Sequence, residues 1–418
     1  KDRIPREAAI LGCCVITGKR GSAAFFEDVP IPDEYKFEDK KENIPKIVEK
    51  IKDCFENFEE RYKDFDYYRQ VIKNEPQRFD MENSKVYIIL LNYNGWVDTI
   101  ECLESVLRID YPNYQVIVVD NNSPNNSMEY IKAWAEGKLD VWVNPNNPLR
   151  KLSFPPVQKP IPYVFYSKEE AERGGNPEIE KQFINPMIFI QTGYNGGFAF
   201  GNNVAIKYAL AKKDAECVLL LNNDTVVEKD FLNKLVEVSQ ADKKIGITGC
   251  KIYYYDNPSK IWFNGGKFNE WTGRAVHIQK EINKEVSECN FITGCCMLIK
   301  REVLEKVGLL DESYFMYVED LDYSYKTIKS GYKLAVAHNS IIWHKVGASG
   351  EGEISEFSAY WIMRSRIRFV IENFHIAKKI SALSFITFTR LIKFIEYLIK
   401  GRKDIIFAQL KGIKDAKR

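Results

Sequence analysis

The chain has 418 residues and 45% apolar content, enough for two or three domains with sizeable cores. Its 60 Lys+Arg against 58 Asp+Glu leave a formal net charge of +2, so no global field directs it to nucleic acid. No apolar run reaches the roughly 18 residues of a membrane-spanning helix. The nine cysteines include the adjacent pairs Cys13-Cys14 and Cys295-Cys296 rather than CxxC metal spacing, as expected of buried reduced thiols in a cytoplasmic protein. The chain opens on Lys1 in sequence that already reads as mid-domain, and we expect it to be a segment of a longer protein.

Residues 1–84 form a separate region. Arg6 to Gly12 followed by Cys13 to Gly18 reads as a helix end, a glycine turn and a short strand. A charged stretch from Ile44 to about Lys73 follows helical spacing, with Ile47, Ile51, Phe55 and Phe58 on one face. The first of these pieces is similar to the closing part of the donor domain of GT-B glycosyltransferases. Without the rest of such a domain, the region is expected to be a docking appendage or the remnant of a preceding glycosyltransferase domain, and no site residue is assigned in it.

From Lys85 strands and helices alternate. Val86 to Leu91 is a strand ending in Asn92-Tyr93-Asn94-Gly95, followed by a helix with Leu103, Val106 and Leu107 on one side. Val116 to Val119 is a second strand, ending in Asp120-Asn121-Asn122-Ser123, with a helix around Ile131 and Trp134 after it. This rhythm predicts a mainly parallel sheet with helical crossovers, whose ligand site lies at the carboxyl ends of the strands. No GxGxxG follows the first strand, so the dinucleotide fingerprint is absent. Asp120 sits where it could hydrogen-bond a nucleobase or ribose; the plainer role is an Asx turn. Residues 144–190 break the rhythm with prolines and Gly174-Gly175 and read as a loop-rich insertion.

Asn195-Gly196-Gly197-Phe198-Ala199-Phe200-Gly201-Asn202-Asn203 opens a helix to about Ala211. Such a loop can present N–H groups to a diphosphate, though tight packing against a strand demands the same glycines. Cys217 to Leu221 is an apolar strand that stops at Asn222-Asn223-Asp224-Thr225. Asp224 either caps the next helix, at 229–240, or offers a hard oxygen to a divalent cation. Ile245 to Tyr255 is a further strand, and Phe291 to Ile299 reads as a strand with a central glycine, Gly294. Glu319, Asp320 and Asp322 crowd the start of a helix ending at Gly331. The helix dipole stabilises acids there and favours an ionised Asp320, and a carboxylate facing the cleft can take a proton from a hydroxyl. Leu334 to His344 is a strand ending at a histidine that could join Asp224 on a metal. Beyond Trp361, basic residues interleave with Ile380, Leu383, Ile386, Leu391, Ile395 and Leu398 at helical spacing. That amphipathic tail suits an anionic membrane surface, or it packs back on the catalytic domain.

Taken together and in order, Asn92-Tyr93-Asn94-Gly95, Asp120-Asn121-Asn122-Ser123, Asn195-Gly196-Gly197-Phe198, Asn222-Asn223-Asp224, Thr293-Gly294, Glu319-Asp320-Leu321-Asp322 and Trp343-His344 resemble family 2 glycosyltransferases of the GT-A fold, in the rhamnosyltransferase-like branch. The resemblance implies an α/β catalytic domain over 85–350, between the appendage at 1–84 and a helical tail at 351–418. It implies a nucleotide-sugar donor, dTDP-rhamnose or a UDP-sugar, contacted by Asn92, Asn94, Asp120, Asn122, Gly196, Gly197, Asn202, Asn223, Asp224 and Gly294. Mn²⁺ or Mg²⁺ would be held by Asp224 with His344, since Asn222 stands where the motif more often has a first acid. Asp320, with Glu319 beside it, matches the base of an inverting transfer to a glycan or lipid-linked acceptor in cell-surface polysaccharide assembly. The expected location is the cytoplasm, at the inner face of the plasma membrane through the tail. The alternative is a non-catalytic glycan-binding scaffold that keeps the fold.

Overall fold

The computed structural model describes residues 8–9, 12–19, 29–70, 84–346 and 354–417. The chain divides into two compact units, Lys1–Asn83 and Ser84–Arg418.

In the first unit, strands β1 (Thr17–Gly18) and β2 (Lys36–Phe37) pair in parallel, and a helix spans Ile44–Glu56. Its core gathers Val15, Val29, Ile31, Tyr35, Cys54, Phe65 and Tyr68. The helix turns Cys54 inward and leaves Ile51 and Phe55 exposed. The apolar face read from the sequence is thus the outward one, because periodicity locates a stripe but not the side on which a core has formed. The parts of the sequence reading at Arg6–Glu7, Ile10–Leu11 and 71–73 lie outside the described residues.

The second unit is built on a mixed sheet in the order β13-β15-β9-β14-β7-β3-β4-β6-β5. Its parallel half comprises β3 (Lys85–Asn92), β4 (Tyr114–Asp120), β5 (Tyr163–Ser167), β6 (Met187–Gln191) and β7 (Ala215–Asn222). The strands Val86–Leu90 and Val116–Val119 are buried throughout, as expected where helices cover both faces of a parallel sheet. Helices Trp96–Val106, Ser127–Ala135 and Gly197–Ala211 supply that cover. On the other side β14 (Cys296–Lys300) pairs antiparallel with both β7 and β9 (Ile245–Tyr254). The long β15 (Lys333–His344) runs parallel to β9 and antiparallel to the short β8 (Thr225–Val227) and to β13 (Val286–Cys289). β10 (Ile261–Phe263) hangs on β9, and β11 (Gly266–Asn269) and β12 (Arg274–His277) form a separate hairpin.

Three sequence expectations change. The 144–190 segment holds β5, followed by a helix at Lys168–Glu172 whose Ser167–Glu170 capping box fixes its start. Phe291 to Ile299 is not one strand: Thr293 to Cys295 is a turn, and the strand begins at Cys296. Finally, the tail helix Glu356–Asn373 packs on the catalytic unit. Arg364 Nη1 donates to the carbonyl of Ser313 at 3.0 Å, Ser365 Oγ to Met316 at 3.1 Å and Arg366 Nε to Gly273 at 2.9 Å. Helices Ile376–Ile399 and Lys403–Asp415 complete the chain.

Candidate active site

The parallel strands end in register. Asn92 pairs with Asp120, Asp120 with Gln191, and Gln191 with Ser167, so four polar side chains form one row across β3, β4, β6 and β5. Asp120 is buried, and its carboxylate is the hub of the row. Oδ1 accepts from Asn92 Nδ2 at 2.6 Å and Ser123 Oγ at 2.6 Å; Oδ2 accepts from the Ser123 amide at 2.9 Å and Gln191 Nε2 at 2.9 Å. The Asx turn and the strand-end position are both realised. A nucleobase reaching Asp120 would displace one of these donors, of which the Gln191 amide is the only long side chain. Asn92 is equally committed, since its Oδ1 also accepts from the Gly95 amide at 3.1 Å and Thr99 Oγ1 at 3.0 Å. It shapes the turn rather than presenting itself to a ligand. Asn94 and Asn122 are the exposed members, both left-handed (φ 60 and 59) and standing at the mouth of the row. Asn223 Nδ2 donates to Thr99 Oγ1 at 2.8 Å, which ties the next strand end to the same turn.

After β7 the chain turns through Asn223 and Asp224 and immediately forms β8. The following helix begins only at Phe231, so Asp224 and Thr225 do not cap it. Thr225 pairs with His344 at the end of β15, and the Lys345 amide donates to the Asp224 carbonyl at 2.9 Å. These contacts set His344 Nε2 3.0 Å from Asp224 Oδ1. Their alignment is not that of a hydrogen bond, and Asp224 Oδ1 and His344 Nδ1 are both buried without a hydrogen-bond partner. A buried carboxylate oxygen without a hydrogen-bond partner, 3.0 Å from an imidazole nitrogen, suits a shared cation. Among the described residues no group of three or more His, Cys, Asp or Glu side chains is placed to hold a metal ion. Trp262 stands against the His344 ring at 4.7 Å and fixes its tilt.

The three acids of the 319–322 cluster have three different environments. Asp322 is a strut: it holds Lys326 at 2.6 Å and accepts from Asn373 Nδ2 at 2.9 Å, which fastens the first tail helix. Glu319 is buried, its Oε2 has no hydrogen-bond partner, and burial with the neighbouring Asp320 charge pushes its carboxyl well above the usual range. Asp320 accepts from the Gly294 amide at 2.9 Å through Oδ2, and from the Leu321 amide at 2.8 Å through Oδ1. Burial nevertheless raises its pKa, against the lowering by these donors. The sequence reading expected the helix dipole to favour the ionised form; desolvation wins instead. Tyr317 and Val318, both left-handed, turn the chain sharply into this helix. A Val there is costly, as strained backbone at a functional turn often is. The turn at 293–295 touches both halves of the site: the Asn222 amide donates to the Cys295 carbonyl at 2.9 Å and the Gly294 amide holds Asp320. The Cys295 thiol is raised first by burial and also by the charges of Asp224 and Asp320.

The glycine-rich loop has another task than the one first expected. A Cβ on Gly197 (φ +88) would sit 2.1 Å from the Phe315 carbonyl, and one on Gly196 would strike the Phe200 ring at 2.4 Å. The Gly197 amide bonds Asn195 Oδ1 at 3.0 Å, and the Phe198 amide bonds the Phe315 carbonyl at 2.9 Å. These N–H groups are therefore engaged in packing the helix start against the segment leading to Asp320, and they do not form an open diphosphate cradle. Asn202 is internal to the helix and donates to the Phe198 carbonyl at 2.9 Å. The Gly294 amide donates to Asp320 Oδ2, and a Cβ there would press on the Phe198 ring at 3.2 Å.

Sequence reasoning missed Gln191, Ser123, Asn203 and Lys345. Asn203 clamps the loop before the acidic helix, bonding the Leu310 carbonyl at 2.9 Å and Glu312 Oε1 at 2.8 Å. Lys345 joins Asp98 at 2.7 Å and Glu101 at 2.6 Å behind the Asp224 turn. Gln191 ends a recognisable apolar run, Met187 to Ile190, and the strand-end rule applied there would have found it.

The mixed α/β sheet carries polar strand ends, a carboxylate–imidazole pair and a half-buried acid held by the Gly294 amide. Comparison with known proteins gives the family. A "Glycosyltransferase like family 2" model matches residues 189–366, and a "Glycosyl transferase family 2" model matches residues 87–149. The low-salt glycan biosynthesis hexosyltransferase Agl10 of Haloferax volcanii is 26% identical over 246 residues, covering 54% of this chain and 76% of that protein. The O-antigen biosynthesis protein RfbC of Myxococcus xanthus is 25% identical over 305 residues, which are 70% of this chain but only 20% of that protein. Among solved structures, the mannosyltransferase PcManGT of Pyrobaculum calidifontis, in complex with GDP-Man and Mn²⁺, aligns with a TM-score of 0.43 and 14% identity over 79% of this chain and 85% of that one. The chain belongs to glycosyltransferase family 2, and its catalytic unit has the GT-A fold.

Proposed function

We propose that this protein moves a sugar from a nucleoside-diphosphate sugar, dTDP-rhamnose or a UDP-sugar, to a hydroxyl of a glycan or lipid-linked acceptor in polysaccharide assembly, with inversion at the anomeric carbon. The observation that carries the reading is the half-buried Asp320, held by the Gly294 amide of the 293–295 turn, whose other end accepts from the Asn222 amide two residues before the unsatisfied Asp224 Oδ1. Asp320 takes the proton of the acceptor hydroxyl. That oxygen forms the new bond to the anomeric carbon as the bond to the diphosphate oxygen breaks, and the leaving diphosphate keeps the electron pair. The residues fit Mn²⁺ or Mg²⁺: Asp224 and His344 would hold it, with donor oxygens and water completing the shell. When bound, such a cation neutralises charge developing on the leaving diphosphate. Asn94, Asn122 and Gln191 stand where nucleoside and ribose would lie along the strand ends. The exposed Tyr194 beside them lies tilted against Phe200, ring centroids 4.4 Å apart, and would offer its free face to a base.

The test is donor hydrolysis and transfer by Asp320→Asn, expected to fall about 10²–10⁴-fold while nucleotide binding persists. Near-normal turnover would remove Asp320 from the mechanism. For the metal, Asp224→Ala is expected to abolish the Mn²⁺ dependence of nucleotide binding, and calorimetry showing the same dependence in the variant would discard the assignment.

A further inference from the structure

Helix Ile376–Ile399 changes character along its length. At its start Ala382 and Ile386 lie against Gly273 in the β11–β12 hairpin, and Ser381 Oγ donates to the Trp271 carbonyl at 2.8 Å. These contacts hold the helix on the catalytic unit. Beyond Ile386 the large apolar residues are no longer covered: Phe388, Leu391, Ile392, Ile395, Leu398 and Ile399 are each 54–82% exposed. Steps of three and four residues gather them on one face. Phe407 and Leu410 of the following helix are exposed as well. A contiguous apolar patch of this kind marks a surface meant for a partner.

Charge identifies the partner. Residues 376–417 hold ten Lys and Arg against three acids, in a chain whose overall charges nearly cancel. Where the helix meets the catalytic unit, Arg274 and Arg390 lie close enough to Arg366 that burial and like charge pull its guanidinium down to about 10. Lys378 pairs with Glu270, Lys393 and Lys400 share Glu396, and Arg402 pairs with Asp404, yet the basic residues of this segment still outnumber the carboxylates around it. Two copies of so basic a tail would repel each other, whereas an anionic surface complements it. No helix among the described residues is long and apolar enough to cross a membrane, so such contact would be interfacial.

We propose that the outer half of helix Ile376–Ile399 lies in the interface of an anionic lipid bilayer, with Phe388, Leu391, Ile392, Ile395 and Ile399 in the acyl boundary and the lysines and arginines at headgroup level. The inference is independent of the donor, the base and the metal proposed above.

The experiment is flotation of the full chain with two vesicle types, phosphatidylcholine alone and phosphatidylcholine with about one third phosphatidylglycerol. The protein is expected to float with the anionic vesicles, to be released as salt rises, and to ignore the neutral ones. Leu391→Glu/Ile395→Glu, and separately the uncharged Leu391→Gln/Ile395→Gln, are expected to weaken binding about tenfold or more through lost apolar area, with donor hydrolysis in solution unchanged. Wild-type flotation by either double variant overturns the proposal. So does equal capture by neutral vesicles, or a wild-type dimer in sedimentation velocity that the variants dissolve in the absence of vesicle binding.

Discussion

Within four consecutive positions Glu319, Asp320 and Asp322 divide into a buried acid without a partner, an acid held by backbone amides and a strut. The cluster was legible in sequence, but its division was not, because it depends on Lys326 and Asn373 reaching one carboxylate and the Gly294 amide reaching another. Asp320 must be ionised to take a proton, and burial raises its pKa. Activity is therefore expected to fall on the acid side at a pH above the ordinary aspartate range near 3.9. A pH profile of kcat/KM whose acid limb lies at or below that range would contradict this. Glu319 carries a stability consequence with the opposite sign to a salt-bridged acid. Its folded pKa is raised, so the unfolded chain ionises first, and stability is lost as pH rises from the unfolded toward the folded value. Relative to Glu319→Gln, wild-type Tm is expected to decline as pH rises above the ordinary glutamate range near 4.3, and a constant difference would place the Glu319 carboxyl in a solvated setting. His344→Ala should raise the Mn²⁺ concentration needed for half-maximal activity while leaving the metal-free protein folded, which a metal titration and circular dichroism read together.

At the scale of elements, the insertion at 144–190 departs most from its sequence reading. Prolines hid β5, whose Tyr163 to Ser167 is too short to show a period, and β6 escaped because its run lay at the edge of the irregular stretch. What holds the insertion is a buried acid on a distant helix. Glu104 receives Trp134 Nε1 at 2.9 Å, Lys159 Nζ at 3.0 Å and the Val157 amide at 2.7 Å. No sequence pattern announces a carboxylate that is central only because a later loop returns to it. Glu104→Ala leaves Lys159 buried without this partner and is expected to cost about 3–5 kcal/mol, measured by urea unfolding. A loss within about 0.5 kcal/mol would mean that the loop holds itself. The strands β3, β4 and β7 were legible for the opposite reason: each is a continuous apolar run stopped by polar residues, and that pattern alone identifies a parallel strand buried on both faces.

At the scale of the molecule, the elements of the site all lie within Ser84–Arg418, and β3, the first strand of the row, begins one residue after that unit does. A chain starting at Ser84 is expected to keep donor hydrolysis and its metal response, measured against the full chain. Loss of both would make residues 1–83 part of the catalytic apparatus. The pairing of β8 with β15 has a consequence in time as well as in space. Asp224 leaves the ribosome long before His344, and β9 to β14 are made in between. A nascent chain that has not yet reached β15 has the Asp224 turn without its imidazole and without the Lys345 amide that fixes the turn. Contacts this distant in sequence close late. If Asp224 and His344 hold the metal as proposed, metal affinity is expected to arise only when this last sheet strand is added.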